Sequence, residues 1–80
     1  MLTAVQPTDR LNAQTVEQAA RARLAKTGYA NLKRVECSFH NGRMILRGQV
    51  PSYYQKQLAQ EAIRDATHVN QVINHLEVVS

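Results

Sequence analysis

The sequence predicts a single small α+β domain in which two helices pack on one face of a three-stranded mixed sheet. Three observations lead to this fold class. Asn41-Gly42 separates two segments in which apolar and polar residues alternate, which is typical of a β-hairpin. Apolar residues at helical spacing precede and follow this hairpin, and a third alternating segment lies near the end of the sequence. The predicted order of elements is therefore α-β-β-α-β.

The composition is that of a folded domain without covalent cross-links. The chain has 80 residues, of which 44% are hydrophobic and 20% charged, so we expect a packed core. A single cysteine excludes an internal disulfide. The formal charge is +4, which favours partners that carry phosphate, whether lipid or nucleic acid. We assign residues 1–11 to a flexible leader and residues 12–80 to the domain.

The first helix is predicted to follow this leader. Pro7 discourages an earlier helix, and Asp9 or Asn12 is the predicted N-cap. Gly28 suits a left-handed residue that ends the helix. The apolar stripe that faces the sheet consists of Val16, Ala19, Ala20, Leu24 and Thr27.

Two strands are predicted at residues 32–40 and 43–50, joined by the Asn41-Gly42 turn. Gly48 in the second strand is expected to allow close approach of a helix backbone or a local bend. Cys37 is predicted to be a buried thiol. The inward residues of the two strands are Val35, Cys37 and Phe39, then Met44, Leu46, Gly48 and Val50.

A second helix and a last strand complete the prediction. Ser52 is the expected N-cap, and Gln55 three residues later could complete a capping box. The last strand is predicted at residues 69–79, with Asn74 as an unusual polar position among its inward residues. The helical stripe consists of Leu58, Ala59, Ala62, Ile63 and Ala66, and the inward strand residues are Val72, Leu76 and Val78.

The order and spacing of these residues resemble the BON domain, a family named for bacterial osmotic-stress and nodulation proteins. The resemblance covers about residues 12–79, and His68 departs from the glycine that the family usually has before Val69. The motif positions beyond the first helix include Asn41, Gly42, Gly48, Val50, Ser52, Val69, Val72 and Asn74.

This resemblance implies a non-enzymatic binding module, without a cofactor, that associates with phospholipid surfaces or with another protein. Such domains occur in envelope and periplasmic proteins, some of them linked to stress responses. The first residues show no signal peptide. The predicted localisation is therefore cytoplasmic if the chain is complete, and periplasmic or envelope if it is an excised domain.

Arg21, Arg23 and Lys26 on the first helix are the predicted contacts to an anionic surface. We expect each to contribute about 1 kcal/mol near an anionic bilayer, which predicts weak and salt-sensitive attachment. Tyr53 and Tyr54, at the start of the second helix, are predicted either to close the core edge or to contact a partner.

Other kinds of site are less favoured by the sequence. No catalytic residue is predicted, because Glu61 and Asp65 lie on a solvated helix surface. No metal site is predicted, because Cys37 and His40 would point to opposite sides of a strand.

Two further functions remain alternatives to lipid or partner binding. A weak homo-oligomer could form through the open sheet face, where Ile45, Ile73 and Val79 are expected. Nucleic-acid binding is the least favoured, because the single strand aromatic, Phe39, is predicted to point inward and could not stack on bases.

Overall fold

The structure is a computed structural model that describes residues 7–79, with side chains described for residues 13–79. It confirms the α+β class and the three-stranded mixed sheet, with one additional short helix. The elements are α1 (Pro7–Lys26), α2 (Ala30–Lys33), β1 (Glu36–His40), β2 (Arg43–Val50), α3 (Tyr53–Ile63) and β3 (Gln71–Val78).

The sheet has β2 in the centre, antiparallel to β1 and parallel to β3. The Asn41-Gly42 turn is confirmed, because both residues have positive φ, 49° and 81°, and His40 pairs with Arg43 across it. The carbonyl of Gly42 accepts hydrogen bonds from the N–H groups of Asn70, at 2.7 Å, and Gln71, at 3.2 Å. The hairpin turn therefore also holds the start of β3.

Alternate residues of the strands face the helices, as predicted. Cys37, Leu46 and Asn74 lie side by side on this covered face. Both long helices contribute to the same core beneath them. Its buried residues are Val16, Ala20, Leu24, Leu32, Val35, Cys37, Met44, Leu46, Val50, Ala59, Ile63, Ala66 and Leu76.

The start of the chain differs from the prediction. Helix α1 begins at Pro7, so residues 7–11, which we assigned to the leader, are helical, and Asp9 and Asn12 lie within the helix instead of capping it. Proline is well accommodated in the first turn because its missing N–H would have no helical partner there. Residues 1–6 of the predicted leader lie outside the described residues.

The first strand is shorter than predicted, because residues 30–33 form α2. The N–H of Arg34 bonds the carbonyl of Asn31 at 3.2 Å, and Leu32 is fully buried. Leu32 and Val35 are both buried although they are three positions apart, a spacing that fits a helical turn, whereas an extended strand would turn them to opposite faces. Gly28 has a φ of 86°, which confirms it as the left-handed residue after α1.

The second half of the chain follows the prediction with small shifts. Helix α3 ends at Ile63, and Ala66 is buried in the turn that follows. His68 adopts a left-handed φ of 74°, a conformation that glycine adopts more easily. Strand β3 begins at Gln71, two residues later than expected, because Val69 and Asn70 form the connection from that turn.

The predicted capping box at α3 is formed only in part. The Ser52 hydroxyl accepts the N–H of Gln55 at 3.2 Å, which confirms Ser52 as the N-cap. The Gln55 side-chain oxygen is buried without a hydrogen-bond partner among the described residues, so the reciprocal bond is missing.

Gly48 occupies a backbone conformation that favours glycine, with a φ of 142°. The nearest backbone to its missing side chain is that of Val35, whose Cα would lie 3.7 Å from an added Cβ. The predicted close approach is therefore to the start of the neighbouring strand and not to a helix.

Candidate functional site

One end of the domain is formed by residues 26–35 and residues 49–56, and we call it the basic end. The Tyr29 and Tyr54 rings meet edge to face with their centroids 6.2 Å apart, which joins the two segments. Neither segment contains an aspartate or a glutamate. Its four basic residues are Lys26, Lys33, Arg34 and Lys56. The basic end therefore carries a local excess of positive charge.

The same two segments contain three tyrosines, Tyr29, Tyr53 and Tyr54. Tyr53 is 75% exposed and Tyr54 is 63% exposed, and they are the two most exposed large hydrophobic residues among those described. Tyr29 is half-buried against the core, and the neighbouring Tyr54 hydroxyl raises the pKa of Tyr29 above its ordinary value. Both Tyr53 and Tyr54 are exposed, so the prediction that they close the edge of the core is wrong, and contact with a partner is the alternative that stays a prediction.

A groove of about 400 Å³ opens at the same end. It is lined by Asn31 and Arg34, by residues 48–51 and by Val79. The groove lies where β2 continues past Arg47, the residue that pairs with the start of β1.

The structure separates the three residues predicted to contact an anionic surface. The Arg23 guanidinium donates to the carbonyl of Ala62 at 3.0 Å and to the Asp65 carboxylate at 2.9 Å, so it links α1 to the end of α3. The hydrogen bond from Arg23 holds the pKa of Asp65 below its usual value. Arg23 therefore has an internal partner.

Arg21 lies on the opposite flank of α1, one helical turn after Glu17. The Glu17 carboxylate accepts the backbone N–H of Phe39 at 2.8 Å, so this flank faces the edge of β1. Burial raises the pKa of the neighbouring Cys37 thiol to about 11, and the charge of Arg21 opposes that rise. Of the three predicted residues, only Lys26 lies in the basic end.

Sequence reasoning did not identify Lys33, Arg34 and Lys56 as part of one surface with the tyrosines. The available signal was the absence of acidic residues from residues 26–35 and residues 49–56. What the sequence could not supply was the contact that brings the two segments together.

Neither a metal-binding cluster nor a membrane-spanning helix is found among the described residues. Cys37 is buried on the covered face and His40 is exposed on the open face, as expected. Among residues 13–79, no group of three or more His, Cys, Asp or Glu side chains is placed to hold a metal ion. No helix within the described part of the chain combines the length and hydrophobicity needed to cross a bilayer.

Comparisons with known proteins agree with this architecture. The family model of the BON domain matches residues 12–80. The structure is similar to the C-terminal domain of CdsD, the structural protein of the type III secretion system of Chlamydia trachomatis, with a TM-score of 0.68 and 23% identity. That match covers 85% of this chain and 34% of the CdsD chain, so this chain spans about a third of its length and the likeness concerns the fold. No curated protein matches the sequence.

BON domains are in general non-catalytic binding modules. The family match covers most of the chain and includes the hairpin, α3 and β3. This protein therefore belongs to the BON domain family of binding and interaction modules.

Proposed function

We propose that the basic end attaches this protein to anionic phospholipid surfaces. The observation that carries the proposal is the pair of exposed rings, Tyr53 and Tyr54, beside four cations with no acidic residue in the same segments. Tyrosine has an apolar ring and a polar hydroxyl, a combination suited to the headgroup region of a bilayer. Lysine and arginine supply the attraction to its negative charge.

The expected attachment is weak and depends on salt. Each cation near an anionic bilayer contributes about 1 kcal/mol, and at about 0.1 M salt screening limits the range of this attraction to about 10 Å. The tyrosines are partly apolar and add contact area without deep insertion. The protein should therefore bind reversibly at the surface of a membrane, and from the family resemblance we propose a membrane of the cell envelope.

Arg21, Arg23 and Lys26, the three contacts predicted from the sequence, have different roles in this proposal. Lys26 is part of the basic end and is proposed as a direct contact. Arg21 is exposed on another flank and is proposed as an auxiliary contact only. Arg23 is bound to Asp65, so reversing its charge would also disturb the contact between α1 and α3. A clean test therefore leaves Arg23 unchanged.

Flotation with vesicles tests the proposal. The protein is mixed with phosphatidylglycerol vesicles or with neutral phosphatidylcholine vesicles, at low and at high salt. We expect binding to the anionic vesicles only, with loss at high salt. The double variant Lys26→Glu with Lys33→Glu should weaken binding by about a hundredfold or more, since each reversed charge turns an attraction of about 1 kcal/mol into a repulsion of similar size.

A matched variant distinguishes the effect of charge at the basic end from the effect of the net charge of the protein. Arg43→Glu with Arg47→Glu changes the net charge by the same amount but lies on the open sheet face. Binding should fall much less in this variant than in the basic-end variant. Equal losses in the two variants, or binding of the wild-type protein to neither kind of vesicle, would contradict the proposal.

The aromatic contribution has its own test. Tyr53→Ser removes the most exposed ring without changing any charge. We expect weaker binding to anionic vesicles and a salt dependence like that of the wild type. If Tyr53→Ser binds as the wild type does, the tyrosine has no part in attachment.

Self-association through the open sheet face is a second candidate function. Ile45 and Ile73 are neighbours in the β2–β3 register and lie half-buried at the centre of this face. The open face also carries two basic residues, Arg43 and Arg47, and two acidic residues, Glu36 and Glu77. Because these charges cancel, two copies of the face would repel each other little. Sedimentation equilibrium should then show a weak dimer that Ile45→Thr abolishes, whereas a monomer at millimolar concentration would exclude it.

A further inference from the structure

We infer that the Asn41-Gly42 turn is a site of spontaneous covalent modification, at which Asn41 is converted into aspartate and isoaspartate while the protein is folded. The Gly42 backbone nitrogen loses its proton and bonds to the side-chain carbonyl carbon of Asn41, and the side-chain nitrogen leaves as ammonia. Water then opens the resulting cyclic imide at either of its two carbonyl groups. One product is an ordinary aspartate, and the other carries the backbone through the former side chain. Water is the only co-reactant, and the reaction is independent of the proposed lipid contacts.

Asn41 differs from the other asparagines of the chain in the residue that follows it. The chain has five asparagines, which are Asn12, Asn31, Asn41, Asn70 and Asn74. Glycine follows Asn41, whereas alanine, leucine, glutamine and histidine follow the others. A side chain on the following residue crowds the attacking backbone nitrogen, and glycine has no side chain. The reaction should therefore be fastest at Asn41.

The turn leaves the reacting groups accessible. Asn41 is exposed to solvent, so water reaches both the amide that leaves and the imide that forms. The N–H of Gly42 donates to no backbone carbonyl within residues 13–79. The attacking nitrogen therefore gives up no backbone hydrogen bond of the described structure when it reacts.

The conformation of the turn lies one rotation away from the geometry of ring closure. Asn41 and Gly42 have φ values of 49° and 81°, which is the pattern of a type I′ turn. Ring closure needs the Gly42 nitrogen beside the Asn41 Cβ, at a ψ of about −120°, the value at the first central position of a type II′ turn. Rotation of the peptide between the two residues converts the first turn into the second and keeps the φ of Asn41 positive. Both turns close a two-residue hairpin, so His40 and Arg43 remain paired.

Modification of this turn should weaken the start of β3 as well as the hairpin. The Gly42 carbonyl accepts the N–H groups of Asn70, at 2.7 Å, and Gln71, at 3.2 Å. Isoaspartate adds a carbon atom to the backbone of the turn, which then no longer has the geometry that a two-residue hairpin requires. The ordinary aspartate should change little, because Asp-Gly also suits this turn.

Incubation of the folded protein followed by peptide mass mapping tests the inference. The protein is held well below its melting temperature in mildly alkaline buffer, and an isoaspartate methyltransferase then labels any isoaspartate. We expect aspartate and isoaspartate at residue 41 and unchanged amides at the other asparagines. Modification spread evenly over the asparagines, or its absence from residue 41, would overturn the inference.

A short peptide with the sequence of residues 39–44 shows whether folding prevents the reaction. If the folded hairpin reaches the reactive geometry, the protein should react within about a hundredfold of the peptide rate. If the reaction required unfolding, the protein would react about a thousandfold or more slowly than the peptide, because a stable domain unfolds so rarely. A protein rate more than about a hundredfold below the peptide rate would overturn the inference.

Two variants separate the chemistry of the turn from its charge. Asn41→Gly keeps a sequence that suits the turn but has no side-chain amide, so modification at residue 41 should disappear. Asn41→Asp carries the charge of the product on an ordinary backbone. The isoaspartate form, separated by chromatography, should melt at a lower temperature than freshly prepared Asn41→Asp. Equal melting temperatures would overturn the inferred effect on the hairpin and β3.

Discussion

The two faces of the sheet are built from the same three strands but have different roles. Leu46 is fully buried beneath the helices, whereas its neighbour Ile45 is only half-buried on the open face. The two residues are chemically alike and adjacent in sequence. The pleat alone assigns one to the core and the other to the surface, so their contributions to stability should differ widely.

The largest expected effect is the contrast between these two neighbours. Leu46→Ala should lower the free energy of unfolding by about 3 kcal/mol, because it removes buried methyl groups and leaves a cavity. Ile45→Ala should cost about 1 kcal/mol or less, since part of the side chain is already in water. Urea denaturation monitored by circular dichroism measures both. Similar losses would mean that the open face is covered in solution.

Asn74 is the polar exception on the covered face, and removing it should have the next largest effect. Its side-chain amide donates to the carbonyl of Lys56 at 2.9 Å, and its oxygen accepts the N–H of Leu76. Asn74→Leu leaves these partly buried groups unpaired and should cost about 2 kcal/mol. His75→Leu, one residue away on the open face, is the control and should change stability little. Greater stability of Asn74→Leu would contradict this role.

Cys37 allows the covered face to be tested by pH. Burial raises the pKa of its thiol from 9.0 to about 11. As pH rises, the Cys37 thiol therefore ionises in the unfolded chain before it ionises in the folded protein. The stability that the buried neutral thiol contributes is fully present below about pH 9 and is lost as pH rises towards about 11. At pH 10 the loss attributable to this thiol should be about 1.4 kcal/mol, one unit of pH above the ordinary value.

The measurement compares wild type with Cys37→Ala across this pH range. The difference between their free energies of unfolding cancels the titration of tyrosines and lysines that both proteins share. The free energy of unfolding of the wild type should fall relative to that of Cys37→Ala between pH 8 and pH 10. A constant difference would show that the thiol is not shielded from water on the covered face.

The smallest expected change in stability concerns His68, which lies in the turn between α3 and β3 and on neither face of the sheet. His68 has a left-handed φ of 74°, so His68→Gly should relieve strain and raise stability by about 0.5 to 1 kcal/mol. Gly28, with a φ of 86°, gives the opposite control, because Gly28→Ala should destabilise by about 1 kcal/mol. Thermal melts distinguish the two signs, and a loss of stability in His68→Gly would indicate that its side chain makes a needed contact.

Long alternating segments of this chain are predictable from the sequence, whereas its short and terminal helical segments are not. The strand β2 is found at Arg43–Val50, as predicted, because alternation over eight residues specifies both the strand and its buried face. The prediction omits the α2 turn because it extends the alternation of β1 back to residue 32, although Leu32 would then lie on the open face. It also places the start of α1 too late, because it treats Pro7 as a barrier, although proline is tolerated in a first helical turn.

The candidate site was less predictable than the fold. Arg21, Arg23 and Lys26 lie close together in sequence, and this proximity suggested a shared surface. In the structure Arg23 faces Asp65 and Arg21 lies on the flank that faces β1. The basic end instead combines two segments that are joined through the contact between Tyr29 and Tyr54.

The hairpin, the buried face of each strand and the cap of α3 can be predicted from the amino-acid sequence alone. These features depend on backbone conformation and residue spacing over a few positions, so the local residues are enough to specify them. The partners of Arg23 and Glu17, the groove beside α2 and the convergence of the basic end depend on tertiary packing. Those features require segments distant in the chain to pack together, and no local pattern records which surfaces will meet.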